Sequence, residues 1–310
     1  MEYQKLTVKM ALELAAPHTW PAAVMPVVIG IALSIANEAF PSWITCLVLL
    51  FICVLMQSSV NTFNDYFDYA KGLDSTEDNL DPTDAVLLYN NVNPKSALKL
   101  AIGFLAAAFV LGIYIIWLAG WIPLVIALVG ALIVVLYSAG KTPISSLPIG
   151  EAVSGIVMGG LITLAVFDVL VGEFSWFVLL WSIPQIIGIG LIMMTNNTCD
   201  IEKDVQSNRR TLPIILGRKR ARKVYHALLW SWIASIVIIV AIWFTDGLVI
   251  VVCMLLTAIP LVKPLLANPL KQSSRIKAMG QICSVNIALG AFYAASILFF
   301  AAQFFGSLLP

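Results

Sequence analysis

Two groups of carboxylates and carboxamides recur in this sequence at matching spacing. The first is Asn61, Asn64, Asp65 and Asp68; the second is Asn196, Asn197, Asp200 and Asp204. Residues three and four apart share one face of a helix, so each group would project its oxygens together. Asn64 to Asp68 and Asn196 to Asp200 have the same spacing and stand 132 residues apart, which hints at an internal repeat. Carboxylates gathered in this way repel one another, so they take up protons or bind cations. Oxygen-only ligands suit Mg²⁺, which takes one or two carboxylates, water and phosphate oxygens. Neither group offers His or Cys at zinc spacing. Lys141, Arg209 and Arg210 supply cations for phosphate oxygens. The other acids of the first region (Asp74, Glu77, Asp78, Asp81 and Asp84) read as a solvated face.

The elements that must position these residues are apolar. Of 310 residues, 60% are hydrophobic and only 11% charged, against about 25% charged in a soluble domain. Mean hydropathy is +0.95. So few charges cannot cover a water-facing surface, which excludes a soluble enzyme and a disordered chain. A net charge of +1 gives no basic field for nucleic acid. A bilayer-spanning helix needs about 20 apolar residues. Nine stretches qualify: about Trp20–Ala36, Trp43–Asn61, Ala97–Leu118, Ile122–Tyr137, Ile149–Val171, Phe174–Met194, Val224–Phe244, Leu248–Val262 and Ile282–Phe305. The first and eighth are short and contain or border Pro21, Pro26 and Pro260, so eight spans is the alternative count. The runs are continuous, not alternating, which favours helices over a membrane barrel. The expected fold is an all-α polytopic membrane bundle of nine transmembrane helices, in one domain over 1–310. Its motif loops fall at about 62–96 and 195–223. Glu2 and Glu13 interrupt the start, unlike a cleaved signal peptide. The five cysteines show no paired spacing and read as small buried hydrophobes.

With nine spans, all 18 Lys and Arg residues fall in the N-terminus and in the segments after spans two, four, six and eight, Lys99 being counted with the segment after span two at the very start of span three. By the positive-inside rule the N-terminus is cytoplasmic and the C-terminus external. Twelve of the 17 acids lie on the cytoplasmic side too. Glu38, Glu173 and Asp246 are external, Asp168 is near the outer end of span five, and Glu151 is near its inner end. Acid clusters and cations above an apolar bundle describe a site for an amphiphile with a diphosphate head and a hydrocarbon tail.

At this point the chain resembles a family, the UbiA superfamily of membrane-embedded aromatic prenyltransferases, over nearly its whole length. Asn64-Asp65-Tyr66-Phe67-Asp68 resembles the first aspartate-rich motif and Asp200-Ile201-Glu202-Lys203-Asp204 the second. Tyr137-Ser138-Ala139-Gly140-Lys141 resembles the tyrosine–lysine element after the fourth helix. The chain is most similar to the menaquinone branch, which prenylates 1,4-dihydroxy-2-naphthoate. Supporting stretches are Pro17-His18-Thr19-Trp20 with Pro26, Gln57 with Asn61, Lys71-Gly72-Leu73-Asp74 after the first motif, and Asn196-Asn197 before Asp200. Arg209-Arg210-Thr211-Leu212-Pro213 and Leu216-Gly217-Arg218 extend the likeness. Ala16 stands where an Arg before Pro17 is common, and Cys199 and Val205 replace basic residues often found beside the second motif.

The resemblance implies transfer of a chain from polyprenyl diphosphate to 1,4-dihydroxy-2-naphthoate, with loss of diphosphate and CO₂. It implies Mg²⁺, two ions bridging the diphosphate with Mn²⁺ as the substitute, held by Asp65, Asp68, Asp200, Asp204 and Asn64. Lys141 and Tyr137 join the aspartates as catalytic residues. Asn61, Asn64, Asn197, Arg209, Arg210, Gln57, His18 and Lys71 are expected at the substrates. The expected setting is the plasma membrane, with lipid around the bundle, the site facing the cytoplasm and no nucleic-acid partner. The alternatives are another aromatic acceptor (4-hydroxybenzoate, haem or a chlorin) and a transporter. A transporter places ionisable groups near the bilayer midplane, whereas these clusters lie at one face.

Overall fold

The computed structural model describes residues 3–72 and 85–308. Asp74, Glu77, Asp78, Asp81 and Asp84 lie outside the described residues. The described residues are helical, with one isolated bridge between Gln4 and Val92. The helices are α1 (Val8–Leu14), α2 (Pro21–Ala36), α3 (Trp43–Lys71), α4 (Val86–Asn90), α5 (Pro94–Ala119), α6 (Trp121–Ser138), α7 (Gly150–Ser154) and α8 (Ile162–Val171). They continue with α9 (Phe177–Trp181), α10 (Ile183–Cys199), α11 (Ile201–Gln206), α12 (Leu212–Leu216), α13 (Arg218–Trp243), α14 (Leu248–Ala267) and α15 (Arg275–Leu308).

Among the described residues, seven helices are long and apolar enough to cross a bilayer, and an eighth if a bent pair counts as one span. That pair is Val8–Thr19 with Pro21–Ala36, meeting at 57°; Pro21 opens α2, and a proline favours the first turn of a helix over its interior. The sixth apolar stretch is divided. It forms α9 and α10, with Ser182 between them and Pro184 in the first turn of α10. Length and composition therefore give fewer spans than the nine read from hydropathy. Pro260 and Pro264 lie inside α14 without ending it.

Helix packing is closest where α7 and α8 meet α10. The turn joining α7 to α8, Gly155–Leu161, is a π-helical segment. A Cβ on Gly155 would fall 2.3 Å from the Ile186 carbonyl oxygen, and one on Gly159 2.6 Å from the Gln185 carbonyl carbon. Glycines four apart thus let two backbones touch, as membrane helices commonly do. The bundle is polarised end to end. Trp43, Trp117, Trp121 and Trp176 are largely exposed and cluster where α3 begins, α5 meets α6 and α8 meets α9. This is the aromatic belt expected at a membrane interface. Both acid clusters lie at the opposite end. No disulfide joins the five cysteines.

Candidate active site

The first cluster rides on one unbroken helix. α3 continues ten residues beyond Asn61 to Lys71 and ends on Gly72 at φ 64°, so the first ten residues of the expected loop 62–96 are helical. The register of three and four places Asn61, Asn64, Asp65 and Asp68 along one cavity wall. The second cluster straddles a break. α10 ends at Cys199, Asp200 leaves helical geometry at φ −97° and ψ 15°, and α11 resumes at Ile201. The break sets Asp200 in the cavity wall and leaves Asp204 outside the lining, 1% exposed and paired with Arg209, which does line the cavity.

Together the clusters line a polar cavity of about 190 Å³. Its walls include Asn61, Asn64, Asp65, Asp68, Tyr137, Asn196, Asn197 and Asp200, with the cations Lys203, Arg209 and Arg275. A second cavity of about 140 Å³ is apolar and lies among α2, α3, α5, α6 and α8. Gln57 and Met158 line both, so a polar chamber and a hydrocarbon-lined one share a wall.

Each acid is held in its own way. Asp65 accepts from the backbone amides of Val86 (2.6 Å) and Leu87 (3.2 Å), the first two residues of α4. It ties α3 to the chain beyond residue 84 and puts negative charge at a helix N-terminus. Asn64 Oδ1 accepts from the Ser138 hydroxyl at 2.6 Å. Asp200 Oδ2 accepts from Arg275 Nε at 3.1 Å, and Arg275 Nη2 reaches Asn196 Oδ1 at 2.6 Å. The other oxygen of Asp200, Oδ1, is buried with no hydrogen-bond partner among the described residues. Asp204 Oδ1 pairs with Arg209 Nη1 at 3.1 Å, and Arg209 Nη2 donates to the Ser145 carbonyl at 3.1 Å. Burial pushes the Asp204 carboxyl up to about 6, against the pull of Arg209, with Asp200 adding to the rise. Burial raises Asp200 too, against Arg275.

Around the rim, Gln57 Nε2 donates to Thr19 Oγ1 and Asn61 Oδ1, both at 3.2 Å. Asn61 Nδ2 donates to Thr19 Oγ1 at 2.8 Å and to the Ala15 carbonyl at 3.0 Å. His18 lines the cavity. Tyr137 lines it as well, with its buried hydroxyl unpartnered among the described residues. Three expected cations stand apart. Lys141 and Arg210 are exposed and outside the cavity lining, and Lys71 Nζ donates to the Ser138 carbonyl at 3.0 Å.

Sequence reasoning missed Arg275, Lys203 and Thr19. Arg275 heads the last apolar run, 75 residues beyond Asp200, and no local spacing connects the two. It also bears on Ala16, which lines the cavity at φ 47° without a charge: cations reach the chamber from α15, from α11 and from the segment after α11 instead. Among the described residues no three His, Cys, Asp or Glu side chains are grouped as a self-sufficient metal cage. The unpartnered Asp200 Oδ1, and carboxylates facing one chamber from two helices, fit a cation completed by ligand oxygens, as Mg²⁺ prefers.

Residues 23–285 match the UbiA prenyltransferase family. The chain belongs to that family. This UbiA-family chain is 34% identical over 229 residues to the 1,4-dihydroxy-2-naphthoate octaprenyltransferase of Bacillus subtilis, covering 73% of each chain. It is 25% identical over 287 residues to UbiA prenyltransferase domain-containing protein 1 of Danio rerio, covering 91% of this chain and 82% of that one. Among solved structures it resembles a UbiA homolog from Archaeoglobus fulgidus bound to GPP and Mg²⁺, with a TM-score of 0.62 and 16% identity. That match covers 92% of this chain and 99% of that one. The apo UbiA homolog from Aeropyrum pernix gives a TM-score of 0.65 at 17% identity, over 90% and 96% of the two chains. These likenesses establish the fold. The UbiA-family chain is an integral membrane prenyltransferase.

Proposed function

We propose that this enzyme transfers a polyprenyl chain from polyprenyl diphosphate to 1,4-dihydroxy-2-naphthoate, releasing diphosphate and CO₂ and giving demethylmenaquinol. The observation that carries the reading is one chamber walled by Asp65, Asp68, Asp200, Lys203, Arg209 and Arg275 and adjoining an apolar cavity. The relatives named as naphthoate octaprenyltransferases support the choice of acceptor.

Asp68, Asp200 and Asp204, with Asp65 and Asn64 beside them, would hold two Mg²⁺ ions against the diphosphate, Mn²⁺ being able to substitute. Bound Mg²⁺ supplies positive charge where the departing diphosphate gains negative charge. Arg209 and Lys203 add fixed cations at the same end, and preorganised charge of this kind lowers the barrier without rearrangement. The allylic tail lies in the apolar cavity past Gln57 and Met158, where water that would capture its cation is excluded. Tyr137 turns its ring to that cation. Gln57, Asn61 and His18 receive the hydroxyls and carboxylate of the acceptor. Lys141, Arg210 and Lys71, outside the cavity lining, guide the diphosphate inward. The bundle crosses the plasma membrane nine times, α9 and α10 together making the sixth span. The N-terminus and site are cytoplasmic and the C-terminus external, because the basic residues all fall at the site end.

The test is a purified-enzyme assay with geranylgeranyl diphosphate and a panel of acceptors. Prenylated naphthol and CO₂ are expected from the naphthoate, with chelator abolishing both and Mg²⁺ restoring them. Conversion of 4-hydroxybenzoate with none of the naphthoate would overturn the acceptor. Full activity in chelator would overturn the metal.

A further inference from the structure

One buried acid lies behind the cavity without lining it. Glu151, in the first turn of α7, is 5% exposed. The touching backbones at Gly155 and Gly159 bring α7 against α10, and the Glu151 carbonyl oxygen lies 3.3 Å from where a Cβ on Gly190 would be. Further along the antiparallel pair, Asn197 Nδ2 donates to Glu151 Oε1 at 2.8 Å, with both side chains buried. Glu151 Oε2 is buried with no hydrogen-bond partner among the described residues.

Asn197 itself lines the cavity. A carboxamide has one face that donates and one that accepts, while an ionised carboxylate only accepts. The pair with Glu151 therefore turns the Asn197 amide one way: NH₂ backward into α7, carbonyl oxygen toward the chamber. We propose that Glu151 is a positioning residue, which acts through Asn197 to present an oxygen, and not an NH₂, to the cation between the two acid clusters. Hard cations take oxygen ligands; a reversed amide would remove a ligand and place a donor hydrogen there. The inference rests on the metal–diphosphate reading above. It explains an otherwise costly feature, since a carboxylate buried among membrane helices is expensive unless it has a task. That rule is also the signal in the sequence: Glu151 is one of two acids inside the nine apolar stretches.

The experiment is Mn²⁺ binding to the purified full chain in detergent, read from the electron paramagnetic resonance signal of unbound Mn²⁺. Glu151→Leu is expected to weaken binding about tenfold, the usual scale for a partner that orients a ligand. Glu151→Gln can pair with Asn197 either way round and should lose less. In an Asn197→Ala background, Glu151→Leu should have no further effect, because a residue that acts through another is silent once that other is gone. If the Leu variant does not fold, the Gln variant and its cycle with Asn197→Ala give the same reading. Binding unchanged in Glu151→Leu, or losses that add in the double variant, would overturn the inference. Wild-type binding that is absent, or that ignores Asp68→Asn and Asp200→Asn, would overturn the metal reading instead.

Discussion

Asp65 and Asp200 belong to clusters written almost identically, yet the structure fastens them by different means. Asp65 sits mid-helix in α3 and is held by backbone amides of α4, about twenty residues away. Asp200 sits at a helix break and is held by a guanidinium at the head of α15. The first arrangement ties a carboxylate to a local segment. The second couples the acid to the last helix of the bundle, so its charge balance and the packing of α15 depend on each other. A repeat in sequence has become a division of labour: one cluster fastens α4 to α3, and the other fastens α15 to the end of α10.

The largest effects should come from the chamber aspartates. Asp68→Ala and Asp200→Ala are each expected to lower single-turnover prenyl transfer by about 10²–10³-fold, the scale for losing one preorganised electrostatic contact. If the clusters share the load, the two losses will agree within about tenfold. A larger gap in product formed per enzyme would show that one cluster dominates.

The next contrast is in stability. Arg275→Leu leaves Asp200 as a buried acid without its guanidinium. Breaking such a pair costs about 3–5 kcal/mol. Asp65→Asn keeps one acceptor oxygen and sets an NH₂ against a backbone amide, a loss of about 1–3 kcal/mol. Thermal unfolding in one detergent should therefore rank Arg275→Leu below Asp65→Asn, with wild type highest. Limited proteolysis should show the reverse emphasis, Asp65→Asn being cut earlier in the segment around residue 85. Equal susceptibility there would deny Asp65 its anchoring role.

These contrasts mark what was legible in the sequence. The helical bundle followed from apolar runs, because a bilayer forces every backbone polar group into helices or closed barrels. The chamber aspartates followed from helical spacing, because three- and four-residue intervals keep neighbours on one face. The break at Ser182 did not follow, since hydropathy averages over a bend and Pro184 fits the first turn of a new helix as well as an uninterrupted run. Arg275 and Glu151 could not be assigned partners, because Asp200 and Asn197 lie 75 and 46 residues away. Arg210 was placed at the phosphates by proximity to the second cluster and Lys141 by its loop after the fourth span, but both residues are exposed. Local spacing reports one element; only packing reports which elements meet.

The smallest effect separates protons from metal in the second cluster. Burial pushes the Asp204 carboxyl up to about 6 even beside Arg209, whereas an unfolded chain releases that proton near 3.9. Between those values the folded state binds more protons than the unfolded state, so stability falls as pH rises. The contribution is fully present below about pH 4 and is lost as pH climbs through about 6. Metal-free wild type should thus lose stability, relative to Asp204→Asn, as pH is raised from 4 to 7, by up to about 1.4 kcal/mol per unit across the window. Added Mn²⁺ should flatten the difference, because a cation on the carboxylates competes with the proton and draws the pKa down. Parallel pH curves for wild type and Asp204→Asn would show that Arg209 outweighs burial, and the second cluster would then stand charged whether or not it holds metal.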